Sequence, residues 1–317
     1  MLADDGPDRP WAEAWQDALY GEGGFYQRPE GPAGHFTTAS HGSLGSVLAH
    51  ALLAVAAERD CDAIVDLGAG RGELLTALRA ADADVPLIGI DVIDRPKSLA
   101  PSIDWQSSPG GATVPATITG GHRRALVVAN EWLDVVPCPI ADVDEGGALR
   151  EVAVDHEGRE RLTGPLSEAD RAWVERWWPL DDAVPGDRVE VGRPRDDAWA
   201  CVLAAPGVAV ALAIDYGHVR PLRPRLGTLA GYRDGALTAP IPDGRHDLTA
   251  HVAVDSLPQV ERMTQRDALA RWGPPTAQPP IELARTDPAA YLAAIGASSA
   301  AYNLRHGGTA DFWWVLS

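Results

Sequence analysis

Three glycines after a short apolar run are the residues of this chain best suited to bind a ligand. Asp66 lies in the run over residues 64–67, and Gly68, Gly70 and Gly72 follow at a G-x-G-x-G spacing. Glycines at the start of a helix let the backbone approach a bound ligand closely. The carboxylate of Asp66 would attract a cation and repel a pyrophosphate. The spacing also differs from the G-x-G-x-x-G of dinucleotide sites.

A second acid ends the next apolar run. Leu87 to Asp91 has the pattern of a strand, and Leu74 to Ala81 before it has the pattern of a helix. Asp91 at the strand tip can accept hydrogen bonds from a ribose diol, and its neighbour Val92 is expected in the same site. The two acids flanking this unit favour S-adenosylmethionine (SAM), a cationic nucleoside, over a nicotinamide cofactor. The chain is therefore predicted to transfer methyl groups.

The next two predicted buried strands also end in acids, Glu131 and Asp215. Ligands of a doubly wound sheet bind at the carboxyl ends of its strands, so these acids are expected to converge with Asp66 and Asp91. Burying four carboxylates together is costly without a cation. A sulfonium, together with a guanidinium or amine from the acceptor, would relieve that cost. This convergence predicts a basic methyl acceptor.

Composition argues against several classes of protein. The 317 residues are 45% hydrophobic and 23% charged, which is typical of a globular chain. A net charge of −18 opposes nucleic-acid binding and favours a basic partner. No apolar run reaches membrane-spanning length, and no secretory signal pattern is present. We therefore expect a cytoplasmic protein without membrane insertion. The dispersed histidines and cysteines predict no metal site.

The order of elements predicts an α/β fold with a doubly wound parallel sheet. The expected regions are an N-terminal helical segment with a Gly34-His35-Phe36 loop (1–60), a Rossmann-like SAM-binding core (61–220) with an insertion at about 138–200, and a C-terminal substrate-capping region with closing strands (221–317). Trp11 to Tyr20 is expected to be an amphipathic helix packed on the core. Residues 220–247 are rich in proline and are expected to be mostly loop.

Further motifs along the chain match those of one known family. They lie between about Ala18 and Gly273 and are Gly34-His35-Phe36, the glycine motif, Asn130-Glu131-Trp132-Leu133-Asp134-Val135-Val136-Pro137, Pro185-Gly186-Asp187-Arg188-Val189-Glu190, Gly227-Thr228-Leu229 and Asp247-Leu248-Thr249-Ala250-His251-Val252. In this combination the chain resembles the MidA-like SAM-dependent methyltransferases, whose mitochondrial members act as arginine methyltransferases in respiratory complex I assembly. The resemblance implies a class I SAM-methyltransferase fold. His35 departs from the family, in which an acid is usual.

The resemblance also implies roles in cofactor binding. Gly68, Gly70 and Gly72 would hold the methionine portion of SAM, with Asp66 near its ammonium group. Asp91 would take the ribose.

A second set of roles concerns the acceptor. Asn130, counted with the cofactor site, and Glu131 would lie where the fourth strand opens toward the methyl group. Glu131 could then bind a guanidinium through two parallel hydrogen bonds. Asp134, Asp215 and His251 complete the predicted catalytic set.

Each acceptor-site candidate has a structural alternative. Glu131 and Asp134 could cap the first turn of a helix, where acids are favoured. Asp215 could begin a turn, and His251 could be a hydrogen-bonded structural residue. Asp247 is expected to cap a helix or turn.

Three functions remain open from the sequence. The first is methylation of an arginine on a partner protein, and the second is N- or O-methylation of a small molecule or peptide natural product. The third is a SAM-binding assembly factor in which methyl transfer is not essential. The sequence leaves the oligomeric state open, a homodimer included.

Overall fold

The computed structural model describes residues 8–28 and 42–317. The loop with Gly34-His35-Phe36 lies outside the described residues. The helices are α1 (Trp11–Tyr20), α2 (Gly42–Glu58), α3 (Glu73–Ala80), α4 (Glu168–Trp177), α5 (Arg193–Ala204), α6 (Gln265–Trp272), α7 (Ile281–Thr286) and α8 (Pro288–His306). The strands are β1 (Arg9–Pro10), β2 (Ala63–Leu67), β3 (Leu87–Asp91), β4 (Ile103–Ser107), β5 (Ala125–Asn130), β6 (Ile140–Val143), β7 (Leu149–Val154), β8 (Glu160–Pro165), β9 (Arg188–Glu190), β10 (Val208–Asp215), β11 (Gly217–His218), β12 (Ala230–Arg233), β13 (Ala236–Thr238), β14 (Asp247–Thr249), β15 (Val252–Ala253), β16 (Glu261–Thr264) and β17 (Trp313–Leu316).

A seven-stranded sheet forms the centre of the molecule, in the order β4-β3-β2-β5-β10-β17-β16. The five strands from β4 to β10 are parallel, and β17 runs antiparallel to both of its neighbours. The strand order reverses between β2 and β5, which is where a doubly wound sheet opens a crevice for a ligand. The predicted α/β fold is confirmed.

Apolar helices cover both faces of this sheet. Along β5, Leu126 and Val128 pack with α2, α3, α6 and α8, whereas Val127 and Ala129 pack with α5 on the other face. This alternation follows the two-residue repeat of a strand. Burial on both faces explains why the strands are apolar almost throughout.

A five-stranded antiparallel sheet lies beside the core and is built from β1 and β6 to β9. Helix α1 packs on it as predicted, with Trp11, Trp15 and Leu19 fully buried. The indole N–H of Trp15 donates to the carbonyl of Leu248 in β14, 3.0 Å away. Helix α1 therefore joins the second sheet to one wall of the functional site.

The expectation of a mostly loop region over 220–247 is wrong in part, because β12 and β13 form a hairpin there and β14 pairs with β12. Helices α5 and α8 were not predicted from the sequence pattern. No helix in the described ranges combines the length and apolar character needed to span a membrane.

Candidate active site

The predicted glycine turn connects β2 to α3 and has the backbone that its spacing requires. Gly68, Gly70 and Gly72 have φ angles of 79°, 54° and 80°, which side chains rarely adopt. A Cβ on Gly72 would lie 2.6 Å from Cδ1 of Leu99, and one on Gly68 would lie 3.0 Å from the indole of Trp132. The turn is therefore both left-handed and closely packed.

Asp91 at the end of β3 closes this turn. Its carboxylate accepts the N–H of Gly70 at 2.8 Å and the N–H of Ile93 at 3.2 Å. Burial raises the pKa of Asp91 to about 6, against the lowering effect of these hydrogen bonds. The neighbouring residue Val92, predicted with it, also faces the cavity.

Asp66 in β2 is buried directly behind the glycines. Burial raises its pKa to about 8, and the charges of Asp91 and Glu73 add to the effect. A carboxyl in this state is neutral near pH 7 until a cation approaches it. The site is thus electrostatically prepared for a positively charged ligand.

The segment after β5 carries backbone strain. Glu131 has φ 50° although it is not glycine, and its N–H donates to the carbonyl of Ile214 at 2.8 Å. Such strained positions concentrate at functional sites. The neighbouring Asn130 places a buried Oδ1 atom in the cavity wall with no hydrogen-bond partner among the described residues.

Asp134 lies in the same segment and is held by two hydroxyl groups. Its Oδ2 accepts hydrogen bonds from the Tyr216 hydroxyl and from the Thr249 hydroxyl, the latter at 2.6 Å. Its Oδ1 is buried and has no partner in the described structure. No helix begins at residues 131–136, which form turns, so the helix-capping alternative for Glu131 and Asp134 is wrong.

Asp215 is buried but does not line the cavity. Its Oδ2 accepts the N–H groups of Leu133 and Asp134 at 3.0 and 3.2 Å, and its Oδ1 accepts the N–H of Tyr216 at 3.0 Å. Burial raises the pKa of Asp215 well above its ordinary value, and the charges of Asp134 and Glu131 raise it further. The structure places Asp215 behind the site, where it fixes the turn that carries Asp134.

His251 also lies outside the cavity lining. Its side chain is exposed, its ring packs edge-on against Tyr216 at 5.1 Å, and its backbone N–H donates to Thr228. In this arrangement the ring supports the far side of Tyr216.

Arg195 is a positioning residue that sequence reasoning missed. It lies on α5, is 1% exposed, and donates to the carbonyls of Asp134, Val136, Ala250 and His251 at 2.9–3.1 Å. It therefore connects the segment at residues 130–137 to the segment at residues 247–252. A buried arginine is expected to have such partners, but the sequence does not reveal which.

Asp247 is a second residue that was missed. It lies in β14 and not at a helix or turn cap, so the capping interpretation is wrong. It is buried, accepts the Tyr26 hydroxyl at 2.8 Å, and has a pKa raised to about 8, first by burial. Asp247 and Thr249 share one face of β14, because side chains alternate along a strand.

These groups surround a cavity of about 360 Å³. Its lining includes six carboxylates and two arginines, Arg28 and Arg71. The carboxylates are those of Asp66, Glu73, Asp91, Glu131, Asp134 and Asp247. Four tyrosines form what we call the tyrosine wall, namely Tyr20, Tyr26, Tyr216 and Tyr232. Among the described residues, no group of His, Cys, Asp and Glu is arranged to hold a metal ion.

The lining fits SAM. The neutral Asp66 carboxyl and the unpartnered Asn130 Oδ1 suit an ammonium group, and the glycine turn leaves room for a ligand at the strand ends. A Rossmann-like sheet with this site defines an enzyme that binds a nucleoside cofactor.

The particular family follows from comparison. Residues 43–270, more than two thirds of the chain, match the profile of a family described as "Putative S-adenosyl-L-methionine-dependent methyltransferase". The chain belongs to this family. It is a SAM-dependent methyltransferase, and SAM is its cofactor.

Solved structures share the fold. The chain is similar to a COG1565 superfamily member from Burkholderia thailandensis whose crystal structure contains S-adenosyl-homocysteine (20% identity, TM-score 0.71, covering 98% of this chain and 88% of that one). It is also similar to a native crystal structure of a COG1565 superfamily protein from the same organism (20% identity, TM-score 0.70, covering 98% and 87%). No curated protein matches the chain.

Proposed function

We propose that this enzyme methylates a guanidinium nitrogen of an arginine on a partner protein. The observation that carries the proposal is the excess of carboxylates over arginines in the cavity lining. A guanidinium acceptor brings a positive charge into a cavity where carboxylates outnumber arginines, and a neutral acceptor brings none. The resemblance to MidA-like arginine methyltransferases and the net charge of −18 support a basic protein segment as substrate.

The residues divide the work between cofactor and acceptor. Asp66, Asp91, Asn130 and the glycine turn would hold SAM. When bound, SAM supplies a methyl carbon that takes the lone pair of the acceptor nitrogen while the carbon–sulfur electron pair returns to sulfur, giving S-adenosylhomocysteine, the methylated nitrogen and one proton. Glu131 at the strained end of β5 would orient the guanidinium and favour loss of that proton.

Labelled SAM tests the proposal. The purified enzyme is incubated with methyl-deuterated SAM and a cell extract from which small molecules have been removed. Acid hydrolysis and mass spectrometry should then find the label in methylarginine. Glu131→Gln should lower the labelling by about tenfold or more, while its affinity for S-adenosylhomocysteine stays near that of the wild type.

Other results would contradict the acceptor. Label confined to lysine or to carboxyl esters would exclude arginine. Label that appears only when the small-molecule fraction is restored would favour a small acceptor. If the Glu131→Gln variant loses the labelling but still supports assembly of the partner protein into its complex, the assembly-factor function would be favoured.

A further inference from the structure

Two buried carboxylates from distant parts of the chain, Asp134 and Asp247, line the cavity beside the tyrosine wall. They are 3% and 5% exposed. Neither has an ion-pair partner in the described structure. Two such groups in one wall are costly to bury unless a bound ligand supplies the missing charge.

Asp134 presents one atom to that ligand. Both hydroxyl donors bind its Oδ2, so the orientation of the carboxylate is fixed. Oδ1 is buried without a partner. A buried oxygen of this kind in a cavity wall is a vacant acceptor for a ligand N–H.

Asp247 is positioned relative to Asp134 through β14. Thr249 binds Oδ2 of Asp134, and Asp247 lies two residues earlier on the same face of the strand. That places the backbone of Asp247 about 7 Å from that of Thr249. The Tyr26 hydroxyl holds one oxygen of Asp247. Burial and the charge of Asp134 raise the pKa of Asp247, as expected for two acids that share a site.

The neighbouring guanidinium of Arg195 does not serve as a direct partner. Within the described structure its hydrogen bonds go to four backbone carbonyls and to neither carboxylate. The tyrosine rings add a further preference for a cation, because the ring faces are electron-rich. Tyr20 and Tyr26 lie with their centroids 5.4 Å apart beside Asp247.

We infer that Asp134 and Asp247 form a two-carboxylate clamp for the cation of the methyl acceptor, with Tyr26, Tyr216 and Thr249 as its positioning residues. A planar guanidinium, which carries N–H donors on more than one edge, fits two separated acceptors better than an ammonium does. The inference rests on the proposed function. It adds Asp247, which the sequence predicted only as a cap, to Asp134 of the predicted catalytic set.

A matched pair of ligands tests the clamp. Both are adenosine derivatives with the same short alkyl chain at the 5′ position, one ending in a guanidinium and the other in an isosteric urea. The wild type should bind the guanidinium compound about tenfold or more tightly than the urea, by calorimetry, because only the first pairs with the carboxylates.

The variants assign the effect to the clamp. Asp247→Asn should reduce the preference below about threefold, while S-adenosylhomocysteine still binds as it does to the wild type. Tyr26→Phe keeps the ring and the carboxylate, and should weaken the preference by a smaller factor. Glu175→Gln, which removes an exposed charge on α4 outside the cavity lining, is the control and should leave the preference intact.

Four outcomes would overturn the clamp or its premise. A wild type that binds both compounds equally, or an Asp247→Asn variant with the full preference, overturns the clamp. Should Asp247→Asn fail to fold in thermal unfolding, an unchanged preference in Tyr26→Phe overturns it instead. A wild type that does not bind S-adenosylhomocysteine at all overturns the proposed function and not the clamp alone.

Discussion

Single carboxylates at the strand ends differ in what they can do. Asp91 and Asp215 both follow a buried strand, yet Asp91 faces the cavity and Asp215 faces the backbone of the turn after β5. The difference arises because Asp215 satisfies three N–H groups of that turn and of its own strand end. An acid at a strand end is therefore a reliable signal for the neighbourhood of the site, but not for contact with the ligand.

Asp66 should give the ligand-free protein a measurable pH dependence. Its folded pKa of about 8 lies above the ordinary value of 3.8 for an aspartate. Between these two pH values the folded state therefore holds a proton that the unfolded state has lost. The free energy of unfolding contributed by Asp66 is then greatest at low pH and falls as pH rises through about 8. Asp66→Asn mimics the protonated group and carries no such penalty.

Thermal unfolding of the two proteins across a pH series measures this effect. The stability of Asp66→Asn relative to the wild type should rise from about pH 5 to about pH 8 and then level off. Asp104→Asn changes an exposed acid on β4 and should show no such trend. A relative stability that stays flat over this window would mean that Asp66 is ionised in the folded protein.

At the scale of elements, the acceptor side of the site is assembled by α5. Arg195 joins the turn at residues 134–136 to the segment after β14 through four carbonyls. Its guanidinium also lies 5.7 Å from the ring of Trp15 on α1. Helix α5 therefore sets the position of Asp134 and Thr249 without contacting the cavity itself.

Arg195→Gln should damage the acceptor side more than the cofactor side. Loss of the guanidinium group leaves several buried carbonyls without a hydrogen-bond donor. We therefore expect the free energy of unfolding to fall by at least about 3 kcal/mol. Where the variant remains folded, the affinity for S-adenosylhomocysteine should change much less than the methyl-transfer rate, because the glycine turn is held by other contacts.

Denaturant unfolding and calorimetry on the same samples provide the two readouts. Arg193→Gln is the control on the same helix, since its partly exposed side chain pairs with Asp170 and Asp197, and it should cost less than about 2 kcal/mol. Equal losses in the two variants would show that Arg195 has no special role.

The elements also show how far the sequence could be interpreted. The strands β3, β5 and β10 were predictable because each is apolar up to a polar last residue. Strand β2 was predictable because Asp66 alone interrupts its apolar run. Asp247 was not, because β14 is only three residues long and too short for alternation to be seen. Helix α5 was not predicted because charged residues at its start interrupt the apolar pattern. One of them, Arg195, is buried because it donates to backbone carbonyls that only the tertiary structure brings close.

At the scale of the whole molecule, the cofactor would bridge strands that are separate in the chain. The cavity is lined by the ends of β2, β3 and β5 and by the β12–β13 hairpin. A ligand that contacts all of them binds only the folded state and must stabilise it. The acids of the cavity at the same time disfavour polyphosphates.

Thermal shift measurements should show both effects. S-adenosylhomocysteine at about a hundredfold excess over its dissociation constant should raise the melting temperature by about 5 °C. ATP at the same concentration should give no shift, since its triphosphate would face the ionised carboxylate of Asp91. Asp91→Ala should lose most of the response to S-adenosylhomocysteine. An equal shift with ATP would indicate that adenosine alone is recognised.

The division of the cavity between two parts of the chain affects how such an enzyme can diverge in evolution. The groups assigned to the cofactor lie within residues 66–130, whereas Tyr216, Tyr232, Asp247 and Thr249 come from a later stretch that includes a surface hairpin. Substitutions in the later stretch can change which acceptor fits while the hold on the cofactor is inherited unchanged. Descendants of one ancestor are therefore expected to share a single methyl donor and to differ in the molecules they methylate.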